Sequence, residues 1–252
     1  MNRIALPSPL QAAQDWLNGW WRLLHFAVLM LSLALYPSSY GPRYRKPLAC
    51  QLVAATAPNL AWYGVLCALV SLVLIRIVVV TSQSYGLTRY ALEMVVRVLV
   101  LELIPLTAAA FVALRTTLPG ALDYAQRRQL SGAAVSSALL RQDFFPRVAA
   151  GIFSVWMLAA VSCVLALILA YWSLYGFTPW ALAAYTRVVG QVFSPAVVLI
   201  LLLKIGFSSL AVGLIPMASS FYGKAAHGLQ DMVRLFAVLL LIEVASLMGN
   251  YY

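Results

Sequence analysis

RYALEMVVRVLVLELIPLTAAAFVALRTTLPGALDYAQRR occupies residues 89–128, and its first part is apolar enough to cross a membrane as one helix, over about 90–116. This helix carries several charged residues among Leu, Val and Ile. One charge near the centre of a span costs about 2.5–3.5 kcal/mol on insertion scales, so we expect these residues to have a role. We also expect the helix to break at Pro119-Gly120, before a short charged segment.

The charged residues of this helix differ in whether they have a partner on the same helix. Glu93 and Arg97 are four residues apart with the acid first, the favoured orientation for an ion pair, and Arg89 extends this ladder. Local pairing explains these residues as well as a functional role does. Glu102 has no opposite charge three or four residues away, so it needs another helix or water. Pro105 lacks a backbone N–H and should open the helix beside Glu102, our first candidate for a functional residue.

The composition is that of a membrane protein. Of the 252 residues, 63% are hydrophobic and 10% are charged, whereas charged residues make up about 25% of a typical soluble domain. The formal net charge of +10 comes mainly from loops between apolar segments, which indicates membrane topology and no binding of nucleic acid. The three cysteines show neither a disulfide framework nor the spacing of a metal site. The sequence therefore predicts an all-α polytopic membrane protein.

An N-terminal helix in the membrane plane and about five transmembrane helices are predicted. Residues 1–36 combine a polar stripe with three tryptophans, which is typical of an interfacial amphipathic helix. We assign residues 1–50 to this helix and a basic cytoplasmic loop, and residues 51–252 to a five-span domain with a cytoplasmic segment at 119–147. An aromatic loop is expected at 172–193. The expected spans are about 52–80, 90–116, 148–171, 195–215 and 235–248, the last short unless it begins near residue 230.

The distribution of Lys and Arg predicts the orientation. The N-terminal region and the segments 119–147 and 216–234 are basic, so the positive-inside rule places them and the N-terminus in the cytoplasm, with the C-terminus outside. This orientation also predicts the depth of five charged residues in the spans.

Two arrangements account for these five charged residues equally well: a polar cavity open to the outer side, or mutual neutralisation in a packed bundle. Those toward the outer half are Arg76, Glu93, Arg97 and Glu243, and the one near mid-depth is Lys204.

Several catalytic motifs are absent from the sequence. There is no G-x-x-x-x-G-K-[ST] phosphate loop, no H-E-x-x-H zinc motif and no G-x-S-x-G nucleophile elbow. We therefore expect no enzyme activity, no metal and no ATP site of its own in this chain. A transporter, a channel or a membrane subunit that scaffolds other proteins remains.

The segment from Val100 to Pro105, VLELIP, is similar to a signature, L-R-E-L-G-P, of the MlaE/YrbE-type permeases. These are permeases of ABC lipid transporters that work with MCE-domain proteins. Leu101 stands where the family has Arg, and Ile104 where it has Gly. The resemblance runs from about Tyr44 to the C-terminus, and the interfacial N-terminal helix matches in kind.

Further positions carry the same resemblance. Arg115 falls on the arginine of the family's A-G-R segment, and Asp123 falls where the family has the Glu of A-E-x-G. Phe145-Pro146-Arg147 is similar to the family's P-R pair before the third span. Lys204 resembles the lysine of the family's K-S-x-x-F region, with Ile205 in place of the serine.

The resemblance implies an MlaE-like permease fold and a set of partners. Family members are homodimers or paired permeases in the bacterial inner membrane, with a periplasmic C-terminus here. Each contacts a cytoplasmic ATPase, which uses the ATP, and on the outer side they hold a ring of an MCE-domain protein that conducts phospholipid. The residues that would couple to the ATPase are Arg115, Asp123, Tyr124, Arg127 and Arg128.

The lipid path implied by the resemblance uses the charges of the spans. Arg97 and Lys204 would attract a lipid phosphate, and the apolar walls would hold the acyl chains. The full set of candidates for this path is Glu93, Arg97, Glu102, Lys204, Glu243 and Arg76.

Two other functions compete with the lipid permease. An ion- or proton-coupled secondary transporter would use Glu102 and Lys204, although such folds often contain internal repeats and none is visible here. A noncatalytic membrane scaffold would tolerate neutral replacements of both residues without any effect on flux.

Overall fold

The computed structural model describes residues 9–36, 41–131, 140–222 and 228–251, and it is built from helices. Helix α3 contains three α-helical parts, Thr88–Val95, Ile104–Val112 and Leu118–Ser131, joined by wider π-helical turns at Val96–Leu103 and Ala113–Thr117. Helix α4 begins with a π-helical turn, Leu140–Phe144, and continues as Phe145–Tyr175. The elements are α1 (Pro9–Leu35), α2 (Pro42–Ser84), α3 (88–131), α4 (140–175), α5 (Leu182–Val192), α6 (Pro195–Phe221) and α7 (Gly228–Tyr251).

Five of these helices are long and apolar enough to cross a membrane, and no strand occurs in the described ranges. The prediction of an all-α polytopic membrane protein with five spans is therefore confirmed. The last span begins at Gly228 and has 23 residues, enough to cross a membrane. It is longer than the predicted 235–248 and agrees with the alternative start near residue 230. The spans are Tyr44–Ser84, Tyr90–Arg127, Leu140–Tyr175, Pro195–Phe221 and Gly228–Asn250.

Helix α3 is the most buried span. In its most apolar stretch 56% of the residues are buried within the protein, compared with 17% in the corresponding stretches of α2 and α7. The other helices thus pack around the segment that carries Glu93, Arg97 and Glu102.

The expected helix break at Pro119-Gly120 is wrong. Helix α3 continues through both residues to Ser131, because the π-helical turn Ala113–Thr117 directly precedes a new α-helical part that starts at Leu118. Pro119 therefore lies in the first turn of that part, where a missing N–H costs little. The consequence is one continuous helix from Thr88 to the charged segment.

Two segments expected to be loops contain helix. Helix α2 begins at Pro42, inside the predicted loop 37–50, and residues 37–40 lie outside the described ranges. Proline fixes the backbone angle that the first helical turn needs, so Pro42 starts the helix that the sequence reading placed ten residues later. The predicted aromatic loop 172–193 contains α5, whose Tyr185 donates a hydrogen bond to the carbonyl of Leu167 over 2.7 Å.

Helix α1 packs on the membrane bundle through one face. Phe26 and Met30 are buried against the neighbouring helices, whereas Trp21 and Leu24 on other faces remain exposed. Helix α1 is not among the five candidate spans of the described chain. The side chains of residues 9–16 lie outside the described part, so the polar stripe is seen only from Asn18 onward.

Helices α4 and α6 cross through a pair of glycines. A Cβ atom added to Gly213 would lie 3.0 Å from the carbonyl oxygen of Val148 and 3.0 Å from the side chain of Ile152. One added to Gly151 would lie 3.5 Å from the Cα of Gly213. Small residues at this crossing let two membrane helices approach closely, which is how such helices gain packing energy within lipid.

Gly213→Val is therefore expected to lower the free energy of unfolding by about 1–3 kcal/mol, because the larger side chain forces the two helices apart. The measurement is denaturant unfolding in detergent micelles. Gly64→Val is the matched control, since a Cβ on Gly64 has no neighbour within 4 Å among the described residues. Equal losses in both variants would show that the crossing contributes nothing specific.

Candidate functional site

A lysine buried within the bundle joins three spans. Lys204 on α6 keeps only 2% of its side chain exposed. Its ammonium group donates to a carboxylate oxygen of Glu102 on α3 and to Oε1 of Glu243 on α7, the latter over 2.8 Å. It also donates to the backbone carbonyl of Leu101 over 3.1 Å. These contacts use the three N–H donors of the ammonium group.

Pro105 explains why the Leu101 carbonyl is open to Lys204. In an α-helix the N–H of residue 105 would bond to the carbonyl of residue 101, but proline has no N–H. The π-helical turn Val96–Leu103 ends two residues before Pro105, which agrees with the opened backbone that the sequence predicts here. A buried carbonyl without a partner is costly, and Lys204 supplies a hydrogen bond to that of Leu101.

Glu102 receives a second contact from the end of the chain. Asn250 on α7 donates from Nδ2 to Oε1 of Glu102 over 3.0 Å. The partners that Glu102 lacked on its own helix are therefore Lys204 and Asn250. Glu102 and Glu243 are 13% and 14% exposed, so both carboxylates are largely removed from solvent.

Two carboxylates share one ammonium group in this cluster. With all three groups ionised, Glu102, Lys204 and Glu243 sum to a charge of −1. Taking ions out of water is expensive, and the cost is recovered only where geometry and additional hydrogen bonds are good. The cluster therefore favours partners that are positively charged or donate hydrogen bonds.

The other charged residues of the spans lie apart from this cluster. Arg97 and Glu93 form their own ion pair at 3.1 Å with 38% and 39% of their side chains exposed. Arg76 on α2 is exposed, and the side chain of Arg89 lies outside the described part. Of the five predicted residues, Lys204 and Glu243 neutralise each other. The prediction of a single polar cavity that gathers all five is wrong, because Glu93, Arg97 and Arg76 lie elsewhere.

An apolar groove runs along α6 and α7 beside the buried cluster. Its volume is about 590 Å³, which is in the range of roughly 300–1,000 Å³ for pockets that hold small molecules. Lys204 and Ser246 are the polar side chains on its wall apart from the indole of Trp20. Most of the remaining lining is aliphatic or aromatic, including Ile200, Leu203, Phe207, Leu210, Val238 and Leu241.

The last part of α3 presents a charged surface. Asp123 and Arg127 form an ion pair at 2.9 Å with 52% and 74% of their side chains exposed. Tyr124 instead faces the bundle, where its ring lies 4.8 Å from that of Phe144 and below the guanidinium of Arg147. The side chain of Arg128 and residues 132–139 of the predicted segment 119–147 lie outside the described part.

Arg115 lies about 12 Å from Asp123 along the axis of α3. Its guanidinium is 5.7 Å from the ring centres of Trp62 and Phe111, and Arg115 and Trp62 are both exposed, so this contact lies on the surface of the bundle. The structure does not bring Arg115 to the Asp123–Arg127 pair with which the sequence grouped it.

An aromatic cluster ties the charged end of α3 to three other helices. Phe144 is fully buried and contacts the rings of Phe26 on α1, Tyr124 on α3 and Phe221 on α6, with ring centres 4.8–6.2 Å apart. Of these four rings the sequence singled out only Tyr124, as a residue that would couple to the ATPase. The three phenylalanines carry no sequence pattern that distinguishes a buried contact from an exposed position. Through Phe144 the ring of Tyr124 on α3 is thus joined to Phe221 on α6, the helix that carries Lys204.

The comparison with protein families agrees with the fold. The family model described as Permease MlaE matches residues 48–238, which is well over half of the chain. The chain belongs to the MlaE permease family. No individually curated protein matches it. The matched region of this MlaE permease includes Glu102 and Lys204 but ends before Glu243, Ser246 and Asn250.

Proposed function

We propose that this MlaE permease is the transmembrane subunit of an ABC-type transporter that moves phospholipid. The observation that carries the proposal is the apolar groove of about 590 Å³ next to a buried ionic cluster within the spans. A lipid combines apolar chains with a polar head, and this site offers a surface for each. Membership of the MlaE permease family supports the same assignment.

The remaining parts of the machine are proposed from the family and the charge pattern. ATP would be hydrolysed by a separate cytoplasmic ATPase, so this chain would be no enzyme and would hold no cofactor. An MCE-domain protein would receive or deliver the lipid on the periplasmic side, and a second permease copy would complete a homodimer. The chain would lie in the bacterial inner membrane. Its N-terminus would be in the cytoplasm, because the N-terminal region is basic and the positive-inside rule places basic segments there.

The continuous helix α3 connects the surface proposed to contact the ATPase with the proposed lipid site. Asp123 and Glu102 lie on the same helix, about 30 Å apart along its axis. The helix has no break between them, so force applied to the Asp123–Arg127 surface acts on the Glu102–Lys204 contact. The pair Glu93–Arg97 and Arg76 would line the outer part of the path, and Arg115 would hold α3 against α2.

The first experiment is a purification of the chain from its native membrane in mild detergent, followed by identification of bound proteins and lipids. Recovery of an ATPase, an MCE-domain protein and phospholipid is expected. A chain that is alone in more than one mild detergent would overturn the proposal and would favour the ion-coupled transporter or the scaffold.

Arg127→Glu is expected to reduce ATP-driven lipid transfer at least about tenfold without altering stability. The exposed pair that it breaks contributes only about 0.3–0.5 kcal/mol to folding, whereas the reversed charge repels an acidic partner surface. The measurement is lipid transfer and ATP hydrolysis by the reconstituted complex in proteoliposomes. Arg187→Glu on α5 is the control on the opposite side, and equal loss in both variants would contradict the coupling role of Arg127.

A further inference from the structure

The atoms left unpaired around the buried cluster can both accept hydrogen bonds: one is an amide oxygen and the other a hydroxyl oxygen, which also donates. Ser246 Oγ and Asn250 Oδ1 are both buried and find no hydrogen-bond partner among the described residues. Ser246 as a whole is only 6% exposed. A buried polar atom without a partner is costly, so such atoms indicate a binding partner from outside the chain.

These acceptors share one face of α7 with Glu243. Positions 243, 246 and 250 are separated by three and four residues, which places all three side chains on the same side of the helix. That side meets α3 through the contact of Asn250 with Glu102. Two carboxylates and two unpaired acceptors are thus gathered at one place.

An anionic group does not fit this arrangement. The donors of Lys204 are already used by Glu102, Glu243 and the Leu101 carbonyl. A phosphate would meet two carboxylates and would have to displace one of them to reach the lysine. The sequence-based expectation that Lys204 attracts a phosphate therefore conflicts with the geometry, whereas a cation with several N–H donors satisfies both the excess charge and the unpaired acceptors.

The apolar groove lies directly beside these acceptors. Ser246 is on its wall together with Lys204, and Gly249 and Ile200 continue the same wall. Away from them the lining is dominated by apolar side chains over most of about 590 Å³. The occupant that matches both surfaces is an amphiphile with a primary ammonium group at one end and an alkyl chain at the other.

We propose that Glu102, Glu243, Ser246 and Asn250 form a subsite for a primary ammonium group whose attached alkyl chain lies in the groove between α6 and α7. The inference rests on the proposed function only for the source of this group, since a lipid headgroup and a free long-chain amine carry the same ammonium. It assigns a preference for amine-bearing lipids to this permease.

The test is a competition between amphiphiles that share a hexadecyl chain and differ in the head. The delipidated full chain in mild detergent is mixed with equal amounts of hexadecylamine and hexadecyl phosphate, and bound molecules are counted by native mass spectrometry. The amine is expected to be bound about tenfold more, because its ammonium group forms charge-assisted hydrogen bonds with the carboxylates, which repel a phosphate. Hexadecyltrimethylammonium has the charge without N–H donors, so it is expected to bind less than hexadecylamine.

Variants separate the headgroup site from the groove. Ser246→Ala is expected to reduce the preference for hexadecylamine several-fold, and Gly249→Leu is expected to remove binding of both hexadecyl probes by filling the groove. A Cβ at Gly249 lies 3.5 Å from Ile200, an ordinary contact, so this variant is expected to fold. Ser209→Ala is the matched control, because the hydroxyl of this buried serine is bonded to the Gly206 carbonyl of its own helix.

Each outcome decides the inference. Equal binding of the amine and the phosphate would overturn the ammonium subsite and leave the lipid permease standing. If neither hexadecylamine nor hexadecyl phosphate binds, both the ammonium subsite and the groove as the site of the alkyl chain are overturned. Recovery of the ATPase with the purified chain would still support the permease. Vesicles of phosphatidylethanolamine compared with phosphatidylglycerol identify the source: a preference for the former in lipid extraction assigns the ammonium to a lipid headgroup, and its absence with retained hexadecylamine binding assigns it to a free amine.

Discussion

Lys204→Met is expected to lower the free energy of unfolding by about 3–5 kcal/mol and to abolish lipid transfer. The substitution keeps most of the side-chain volume but leaves two buried carboxylates and the Leu101 carbonyl without the ammonium group. Breaking a buried ion pair by removing one partner costs this much because the remaining charge is uncompensated. The measurement is denaturant unfolding of the purified chain in micelles, with lipid transfer by the reconstituted complex.

Two further variants make this expectation specific. Arg97→Met removes one partner of a half-exposed pair and is expected to cost less than about 1 kcal/mol. Adding Glu102→Gln and Glu243→Gln to Lys204→Met is expected to recover most of the lost stability but not the transfer, because the uncompensated charges are gone. Lys204→Met with the stability of the unaltered chain would show that the cluster does not hold the three helices together.

Phe144→Ala is expected to lower the free energy of unfolding by about 3–5 kcal/mol, since it removes the ring that α1, α3 and α6 all contact. Within a membrane the loss arises from the cavity and the missing van der Waals contacts rather than from exposure to water. Denaturant unfolding in micelles measures it.

Phe153→Ala on the same helix is the control for Phe144→Ala. Phe153 is 44% exposed on the surface of α4, so its removal leaves no closed cavity and is expected to cost far less. Similar losses for the two variants would mean that the aromatic cluster is no more important than any other phenylalanine of α4.

The sequence predicted the spans well because twenty or so consecutive apolar residues leave little alternative in a membrane. It also predicted the need of Glu102 for a distant partner. It did not identify Lys204 as that partner, because the two residues are 102 positions apart and the register between helices is set by packing. Ser246 and Asn250 received no attention, since single small polar residues near a helix end are common.

Local backbone geometry accounts for the remaining errors. A Pro-Gly pair usually ends a helix, but the π-helical turn before Leu118 shifts the hydrogen-bond pattern so that Pro119 lies where no N–H is required. The start of α2 was misplaced for a similar reason, because Pro42 was read as a loop residue although the first helical turn favours proline. Neither the π-helical turn nor the helix start at Pro42 changes the spacing of apolar residues, so hydrophobic periodicity does not detect them.

The distance along the chain between Glu102 and Lys204 has a consequence for biosynthesis. At about 5–20 residues per second, the ribosome needs roughly 5–20 s to make the 102 residues that separate α3's carboxylate from its cation. During this interval Glu102 on α3 has been made, but Lys204, its partner on α6, has not. The contact of Glu102 with Lys204 therefore forms only after α6 has been made, so the packing of the central helix is completed well after its synthesis.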